Sequence, residues 1–161
     1  MTPRDIDTLP PERLLIDGPT GTLAATLEVP TATNRAVVLL LHPHSEHGGS
    51  RRNNVVRYGA LGALESGCAA LRIDFRGAGD SAGEYDNGIG EVDDAAAAAA
   101  WLRGRFPGLP LFVWGFSFGS RVGMELCDRL RDNCAGYMAV AWPSKLYSWP
   151  EIGNWPQRMS F

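Results

Sequence analysis

The sequence predicts an α/β fold in which helices cover both faces of a mostly parallel β-sheet. Short, continuously apolar runs alternate along the chain with segments whose apolar residues recur at helical spacing. Strands buried on both faces read as such apolar runs, and their alternation with helices indicates a parallel sheet with right-handed crossovers. The chain has 161 residues, 45% of them apolar, which is enough for one domain with a core of its own.

The individual elements follow in order from the same signals. Two strands joined by the turn Gly18–Gly21 open the chain and are expected to pair antiparallel, because a short glycine-containing turn favours a hairpin. Further along, glycine or proline marks helix ends, as at Gly67 and Pro107. The predicted strands are 13–16, 22–29, 36–41, 68–75, 109–114 and 135–142, and the predicted helices are 53–66, 91–106 and 117–131.

The alternation of strand and helix is lost after Pro143. Residues 144–161 contain aromatic side chains without a clear period, and we interpret them as an atypical tail of a single domain formed by residues 1–161. A sheet that stops there would expose an apolar edge. The N-terminus lacks the apolar stretch of a signal peptide, and no run is long enough to span a bilayer. A cytoplasmic location without membrane contact is therefore expected.

Charge and cysteine content argue against several classes of function. The formal net charge is −3, with both signs interspersed, which does not favour a nucleic-acid partner. The three cysteines, Cys68, Cys127 and Cys134, fit no spacing typical of a metal site or a disulfide framework. They are expected to be small buried thiols in a reducing compartment. No pattern indicates a cofactor or a particular oligomeric state.

The strongest chemical signal is the pattern G-x-S-x-G from Gly115 to Gly119. It lies between a predicted buried strand and a predicted helix, which is the setting of a nucleophile elbow. Glycines are needed because side chains two positions from the serine would collide with the strand and helix backbones. The turn would raise the Ser117 hydroxyl above the sheet and direct the N–H of Phe118 at a developing oxyanion. Ser117 is the predicted nucleophile; a glycine-rich turn without chemistry is the alternative.

A second oxyanion donor is expected from the loop after the third strand, which begins His42-Pro43-His44-Ser45. Pro43 has no N–H, so the N–H of His44 is the first candidate and that of Ser45 the second. Four aromatic residues are candidates for an apolar acyl pocket, with core packing as the alternative role. They are Tyr85, Phe116, Phe118 and Trp142.

Four motifs together resemble the small bacterial α/β-hydrolases with an HPH loop, from about residue 12 to about residue 143. The resemblance implies a serine hydrolase that forms an acyl-enzyme, with a small ester or related acyl compound as its substrate. In this setting Asp74 and Arg76 are interpreted as structural residues that tie their loop near the active-site edge. The motifs are His42-Pro43-His44, Gly48-Gly49, D-F-R-G-x-G-x-S over residues 74–81, and the serine motif itself.

The sequence departs from the pattern of this family at the catalytic base. The family order is serine, then acid, then histidine, on two further strands, yet His42, His44 and His47 all precede Ser117. Three explanations stay open. The chain is a truncated or frameshifted product, or a short member that takes its base from the loop of these histidines, or a non-catalytic relative that only binds ligands.

The same three histidines support a second class of function. The segment from His42 to His47 resembles the HxHxDH segment of metallo-β-lactamases, in which histidines after a strand bind zinc. Three imidazoles of this loop would hold a metal-bound hydroxide in a metal-dependent hydrolase. Glu46 stands where that class has aspartate, however, and no later histidine supplies the remaining ligands. The serine hydrolase without a metal is therefore the preferred prediction.

Overall fold

The computed structural model describes residues 7–145, in which six strands form one mostly parallel sheet with helices on both faces. This architecture confirms the predicted fold class. In chain order the elements are β1 (Glu12–Gly18), β2 (Gly21–Glu28), β3 (Ala36–Leu41), α1 (Asn54–Glu65), β4 (Cys68–Ile73), α2 (Gly90–Arg105), β5 (Leu111–Phe116), α3 (Phe118–Leu130) and β6 (Gly136–Val140).

The strand order across the sheet is β1-β2-β4-β3-β5-β6. β1 and β2 form the predicted antiparallel hairpin, and β2 also pairs antiparallel with β4. β4, β3, β5 and β6 then run parallel to one another as successive neighbours. Because β3 and β5 are adjacent and parallel, the loop that follows β3 and the turn that follows β5 meet at the same edge of the sheet.

Successive leucines of β3 point to opposite faces of the sheet. Leu39 and Leu41 belong to a large buried cluster that includes side chains of α2 and α3, whereas Leu40 packs in a smaller cluster against α1. Side chains alternate along a strand with a period of two, so a strand covered on both faces is apolar at every position. The uninterrupted apolar run Ala36–Leu41 is explained in this way.

Two predicted strands extend too far at their carboxyl ends. The fourth strand ends at Ile73, because the N–H of Phe75 donates to Nε2 of His42 at 3.0 Å instead of to a neighbouring strand. The sixth strand ends at Val140, because Ala141 adopts a φ of +51°, outside the extended region. Both departures lie at the carboxyl edge of the sheet, where ligands bind in open α/β folds.

β6 is an edge strand within residues 7–145. Apolar side chains near it are exposed, Phe112 to 38% and Met138 to 54%, beside a groove of about 600 Å³ between α1 and the strands β5 and β6. Residues 146–161, which make up most of the predicted tail, lie outside the described part of the chain. Among the helices that the structure describes, none is long and apolar enough to cross a membrane.

Candidate active site

Ser117 lies in the tight turn that joins β5 to α3. Its φ of +53° and ψ of −116° belong to a backbone region that residues other than glycine rarely occupy. Such conformations cost roughly 1–3 kcal/mol and persist only where the surroundings hold them. Here the N–H of Ser117 donates to the carbonyl oxygen of Val140 on β6 at 2.9 Å. The strained strand-to-helix turn that the sequence predicts is therefore present, with its serine half-buried.

The two glycines of the serine motif are required by close backbone contacts. A Cβ at Gly115 would lie 2.3 Å from the carbonyl oxygen of Gly119, and a Cβ at Gly119 would lie 2.3 Å from that of Leu41. Ordinary contacts of a Cβ begin at 3.4 Å. The first turn of α3 is therefore seated directly on the ends of β5 and β3, and only glycine permits this approach.

Two further hydrogen bonds hold the first turn of α3 in place. Ser120 is fully buried, and its hydroxyl donates to the carbonyl oxygen of Ser117 at 2.5 Å. The hydroxyl of Tyr137, on β6, donates to the carbonyl oxygen of Ser120. Burial raises the pKa of Tyr137, so this phenol stays protonated and remains a donor. No sequence pattern links Tyr137 to Ser120, because their contact depends on the pairing of β5 with β6.

His42, the first histidine of the loop after β3, is a buried structural residue. Its Nε2 accepts the N–H of Phe75 at 3.0 Å, which places the proton on Nδ1, 2.5 Å from the carbonyl oxygen of Pro43. Burial lowers the pKa of His42 to about 4, and the hydrogen bond to Pro43 and the charge of Asp74 only partly oppose this effect. Since both ring nitrogens are engaged, His42 is available neither as a base nor as a metal ligand.

The lowered pKa of His42 predicts a loss of stability in mild acid. In the unfolded chain a histidine takes up its proton near pH 6.5, whereas in the folded chain His42 does so only near pH 4, so protons favour the unfolded chain in this range. The contribution of His42 to the free energy of unfolding is complete above pH 6.5 and falls by about 3 kcal/mol as the pH drops to about 4. Urea denaturation across this range measures the effect.

The control for this prediction is His47→Gln, which removes an exposed histidine from the same loop. This variant should keep the loss of stability between pH 6.5 and pH 4 that His42 causes. His42→Gln should be less stable than the wild type at neutral pH, and the difference should shrink as the pH falls towards 4. A constant difference between the wild type and His42→Gln over the whole range would count against the assigned protonation of His42.

His44, the predicted second oxyanion residue, packs beside the serine turn. The centroid of its ring lies 5.2 Å from that of Phe118, 4.6 Å from that of Tyr85 and 4.6 Å from that of His47. Burial is the largest cause that lowers the pKa of His44, and the neighbouring His47 lowers it further. The backbone after His44 forms a short 3-10 turn over Ser45–His47. The loop therefore lies next to the first residue of α3, and a role of the His44 N–H as an oxyanion donor stays a prediction.

The three loop histidines do not converge on one point. His44 and His47 are in ring contact, but the ring of His42 is turned towards Phe75 and Pro43. In the part of the chain that the structure describes, no group of three histidine, cysteine or carboxylate side chains is placed to hold a metal ion. The metal-dependent alternative therefore has no assembled ligand set among residues 7–145.

The aromatic residues predicted to line an acyl pocket divide between two faces of the sheet. Tyr85 and Trp142 pack against the large cluster that contains the fully buried Phe118, and the ring of Tyr85 lies 5.7 Å from that of Phe118. Phe116 packs instead with the smaller cluster on the side of α1. The structure thus brings Tyr85 and Phe118 together but places Phe116 in a different packed group. A role of these side chains in binding substrate stays a prediction.

Asp74 forms a buried ion pair close to this edge of the sheet. Its carboxylate is fully buried, accepts the N–H of Arg51 at 2.6 Å and pairs with the guanidinium of the same residue. The carbonyl oxygen of Asp74 accepts the hydroxyl of Ser81 at 2.7 Å, and that hydroxyl accepts the N–H of Ala24 at 2.9 Å. These bonds tie the loop 74–81 to β2 and to the segment before α1, in agreement with a structural role for Asp74.

Arg76 forms a second buried pair, with Asp94 on α2. The carboxylate of Asp94 accepts Nη2 of Arg76 at 2.8 Å, Nε at 3.0 Å and the backbone N–H at 2.9 Å. These hydrogen bonds are the largest cause that raises the pKa of Arg76 above its ordinary value. Asp86 approaches the same guanidinium less closely, at 3.9 Å. The pair joins the loop after β4 to the helix that follows it.

An acidic residue at the start of α2 fixes the loop that precedes this helix. Glu91 is fully buried, and its carboxylate accepts the N–H groups of Asp86 and Gly88, each at 2.8 Å. It thereby holds the loop that carries Tyr85 against His44. Sequence reasoning missed Arg51, Glu91 and Asp94 as parts of the site, because a charged residue carries no sequence signal of its burial.

The geometry of the sheet and of the serine turn defines the class of this protein. An antiparallel first strand pair, the order β1-β2-β4-β3-β5-β6 and a serine at positive φ between two close-packed glycines are the architecture of an α/β-hydrolase. A family model described as serine aminopeptidase, S33, matches residues 32–153. The chain belongs to this family of α/β-hydrolases.

Solved structures of α/β serine hydrolases superimpose on most of the chain. One from Xanthomonas campestris, described as lacking a lid, is 32% identical with a TM-score of 0.86, over 94% of this chain and 70% of that chain. An α/β serine hydrolase homologue from Coxiella burnetii is 34% identical with a TM-score of 0.80, over 84% of this chain and 64% of that chain. The resemblance that the sequence motifs indicate is thereby confirmed.

The chain also matches parts of longer relatives. An uncharacterised protein of Rickettsia prowazekii is 36% identical over 132 residues, which are 81% of this chain and 55% of the relative. A lysophosphatidylserine lipase of Mus musculus is 35% identical over 100 residues, which are 62% of this chain and 24% of the lipase. The chain therefore spans about half the length of the first relative and about a quarter of the second.

Proposed function

We propose that this chain carries the nucleophile of a serine hydrolase that acts on small ester or related acyl substrates. The observation that carries the proposal is the backbone of Ser117, which is held at a φ of +53° between Gly115 and Gly119. A catalytic task explains why a strained residue other than glycine occupies this turn. Similarity to the Xanthomonas campestris serine hydrolase and to the mouse lysophosphatidylserine lipase supports an acyl substrate.

In the proposed reaction Oγ of Ser117 attacks the carbonyl carbon of the substrate and gives its proton to a base. The N–H groups of Phe118 and His44 bind the oxyanion of the tetrahedral intermediate. The N–H of Phe118 belongs to the first turn of α3, where the helix dipole favours negative charge. Collapse of the intermediate expels the protonated leaving group, and water then hydrolyses the acyl-enzyme.

The base for this reaction is to be tested among the imidazoles nearest the serine turn. His42 is excluded because its two ring nitrogens are engaged by Phe75 and Pro43. His44 contacts Phe118, and His47 contacts His44, so both belong to the loop beside the turn. The sequence contains no histidine after position 117. The proposal therefore assigns the nucleophile and the oxyanion donors, and it leaves the base to a comparison of two variants.

A fluorophosphonate probe tests the nucleophile, because it phosphonylates activated serine hydroxyls. We expect one probe molecule per chain, attached to Ser117 by peptide mapping, and no labelling of Ser117→Ala. The matched control is Ser66→Ala, which removes an exposed hydroxyl at the end of α1 and should label like the wild type. Label that persists in Ser117→Ala would overturn the assignment of the nucleophile, and a folded wild type that stays unlabelled would show that the histidines of this chain do not activate Ser117.

The rate of the same labelling reaction tests the base. General-base catalysis contributes about 10²–10⁴-fold, so the variant that removes the base should label at least about a hundredfold more slowly. His44→Gln and His47→Gln are compared for this reason. Labelling should be unchanged by a chelator, since no metal takes part in the proposed reaction. Loss of hydrolysis of an activated ester on chelation, with bound zinc, would instead support the metal-dependent alternative.

A further inference from the structure

Two of the three cysteines are in contact where α3 passes into β6. Cys127 lies in the last turn of α3, and Cys134 follows the short turn Arg131–Asn133; their sulfur atoms are 2.9 Å apart. The bond length in a disulfide is about 2.05 Å, so the sulfurs need to approach by less than about 1 Å. All three cysteines are free thiols. The contact between Cys127 and Cys134 is not indicated by their spacing in the sequence, because the helix, turn and strand together bring the two residues into contact.

We propose that Cys127 and Cys134 are a redox pair that a hydroperoxide converts into an intramolecular disulfide. The sulfur of Cys134 attacks the peroxide, the O–O bond breaks, and Cys134 becomes a sulfenic acid while water or an alcohol leaves. The sulfur of Cys127 then attacks this sulfenic sulfur, the S–S bond forms, and water leaves with the proton of the thiol. The two sulfurs together lose two electrons, which the hydroperoxide gains.

The environments of the two thiols decide which of them reacts first. Cys127 is only 2% exposed, whereas Cys134 is half-buried and therefore open to a small oxidant. The two sulfurs share a hydrogen bond in which either can be the donor, and this bond is the largest cause that lowers the pKa of Cys134 and raises that of Cys127. Since the thiolate is the nucleophile, Cys134 is the attacking residue and Cys127 the resolving one.

The disulfide would join the two elements that hold the serine turn. The carbonyl oxygen of Val140, on β6, accepts the N–H of Ser117. The hydroxyl of Tyr137, also on β6, donates to the carbonyl oxygen of Ser120 on α3. A cross-link between the end of α3 and the start of β6 closes a short loop and restricts the unfolded chain. The oxidised chain should therefore melt about 5 °C above the reduced chain. This inference does not depend on whether Ser117 reacts.

The experiment treats the reduced full chain with hydrogen peroxide and counts its thiols after unfolding. We expect the count to fall from three to one, the intact mass to fall by two hydrogen atoms, and peptide mapping to link Cys127 to Cys134. A dithiol should reverse all three changes. Cys68, half-buried on β4, provides the control, since Cys68→Ser should still form the disulfide.

Substitution of the resolving residue separates the two steps. In Cys127→Ser, peroxide should leave a sulfenic acid on Cys134 that dimedone traps, with no loss of hydrogen atoms from the chain mass. Three results would overturn the proposal for the wild type: oxygen added without a disulfide, a disulfide that includes Cys68, or a link between two chains. These three results are all measured on the wild type, so the test remains decisive even if a variant fails to fold.

Discussion

Gly119→Ala is expected to lower the free energy of unfolding by about 3 kcal/mol, and the melting temperature by about 10 °C. The added Cβ would lie 2.3 Å from the carbonyl oxygen of Leu41 and 2.6 Å from that of His42. Both atoms belong to the backbone at the end of β3, so no side-chain rotation relieves the contact. The first turn of α3 would have to move away from the sheet, and the hydrogen bond between Ser117 and Val140 would be strained with it.

The matched control is Gly62→Ala in α1, where an added Cβ meets no atom within 4 Å. Alanine there should raise the stability by up to about 1 kcal/mol, because glycine weakens a helix interior. Thermal and urea denaturation of both variants measure the difference, and the fluorophosphonate reaction shows whether the serine turn is displaced. If Gly119→Ala were as stable as the wild type, the close seating of α3 on β3 would be incorrect.

Asp94→Ala is the second substitution with a large expected effect, about 3 kcal/mol of destabilisation. It removes a fully buried carboxylate that accepts three N–H groups of Arg76, and it leaves the guanidinium of Arg76 buried. Breaking a buried ion pair from one side is costly because the remaining charge loses both its partner and its water. Asp86, at 3.9 Å, offers only partial compensation.

The control for Asp94→Ala is the adjacent residue. Asp93 pairs with Arg129 at 2.5 Å, but the two side chains are 50% and 51% exposed. Asp93→Ala makes the same chemical change on the same helix, and it should cost less than about 1 kcal/mol because water replaces the lost partner. Equal losses in the two variants, measured by urea denaturation, would show that burial of the Arg76–Asp94 pair does not matter to stability.

Most of the fold was predictable from local patterns. The apolar run Ala36–Leu41 is long enough for a strand and too short for a helix of ordinary length. Its odd-numbered and even-numbered positions are both apolar, as expected for a strand that is covered on two faces. The strand ends were less predictable. β6 ends at Val140 because Ala141 takes a positive φ. No residue type in this segment predicts that change of backbone conformation.

The site was predictable only where its geometry is local. Ser117 and the two glycines that permit its backbone conformation form a pattern of five consecutive residues, which is visible in the sequence. The roles of the loop histidines were not visible. Three imidazoles in six residues suggest a metal site. The ring of His42, however, accepts a hydrogen bond from the backbone N–H of Phe75, which is 33 residues further along the chain.

The sequence by itself determined the class of the fold and the position of the serine between its two glycines, because the first depends on hydrophobic period and the second on a pattern of five consecutive residues. Tertiary structure decided which partners the buried charges have, which ring nitrogens of His42 are engaged, and that Cys127 lies against Cys134. These contacts depend on how the helices, loops and strands pack against one another. Residues far apart in the chain come into contact only when the sheet has assembled, and no local sequence pattern predicts these contacts.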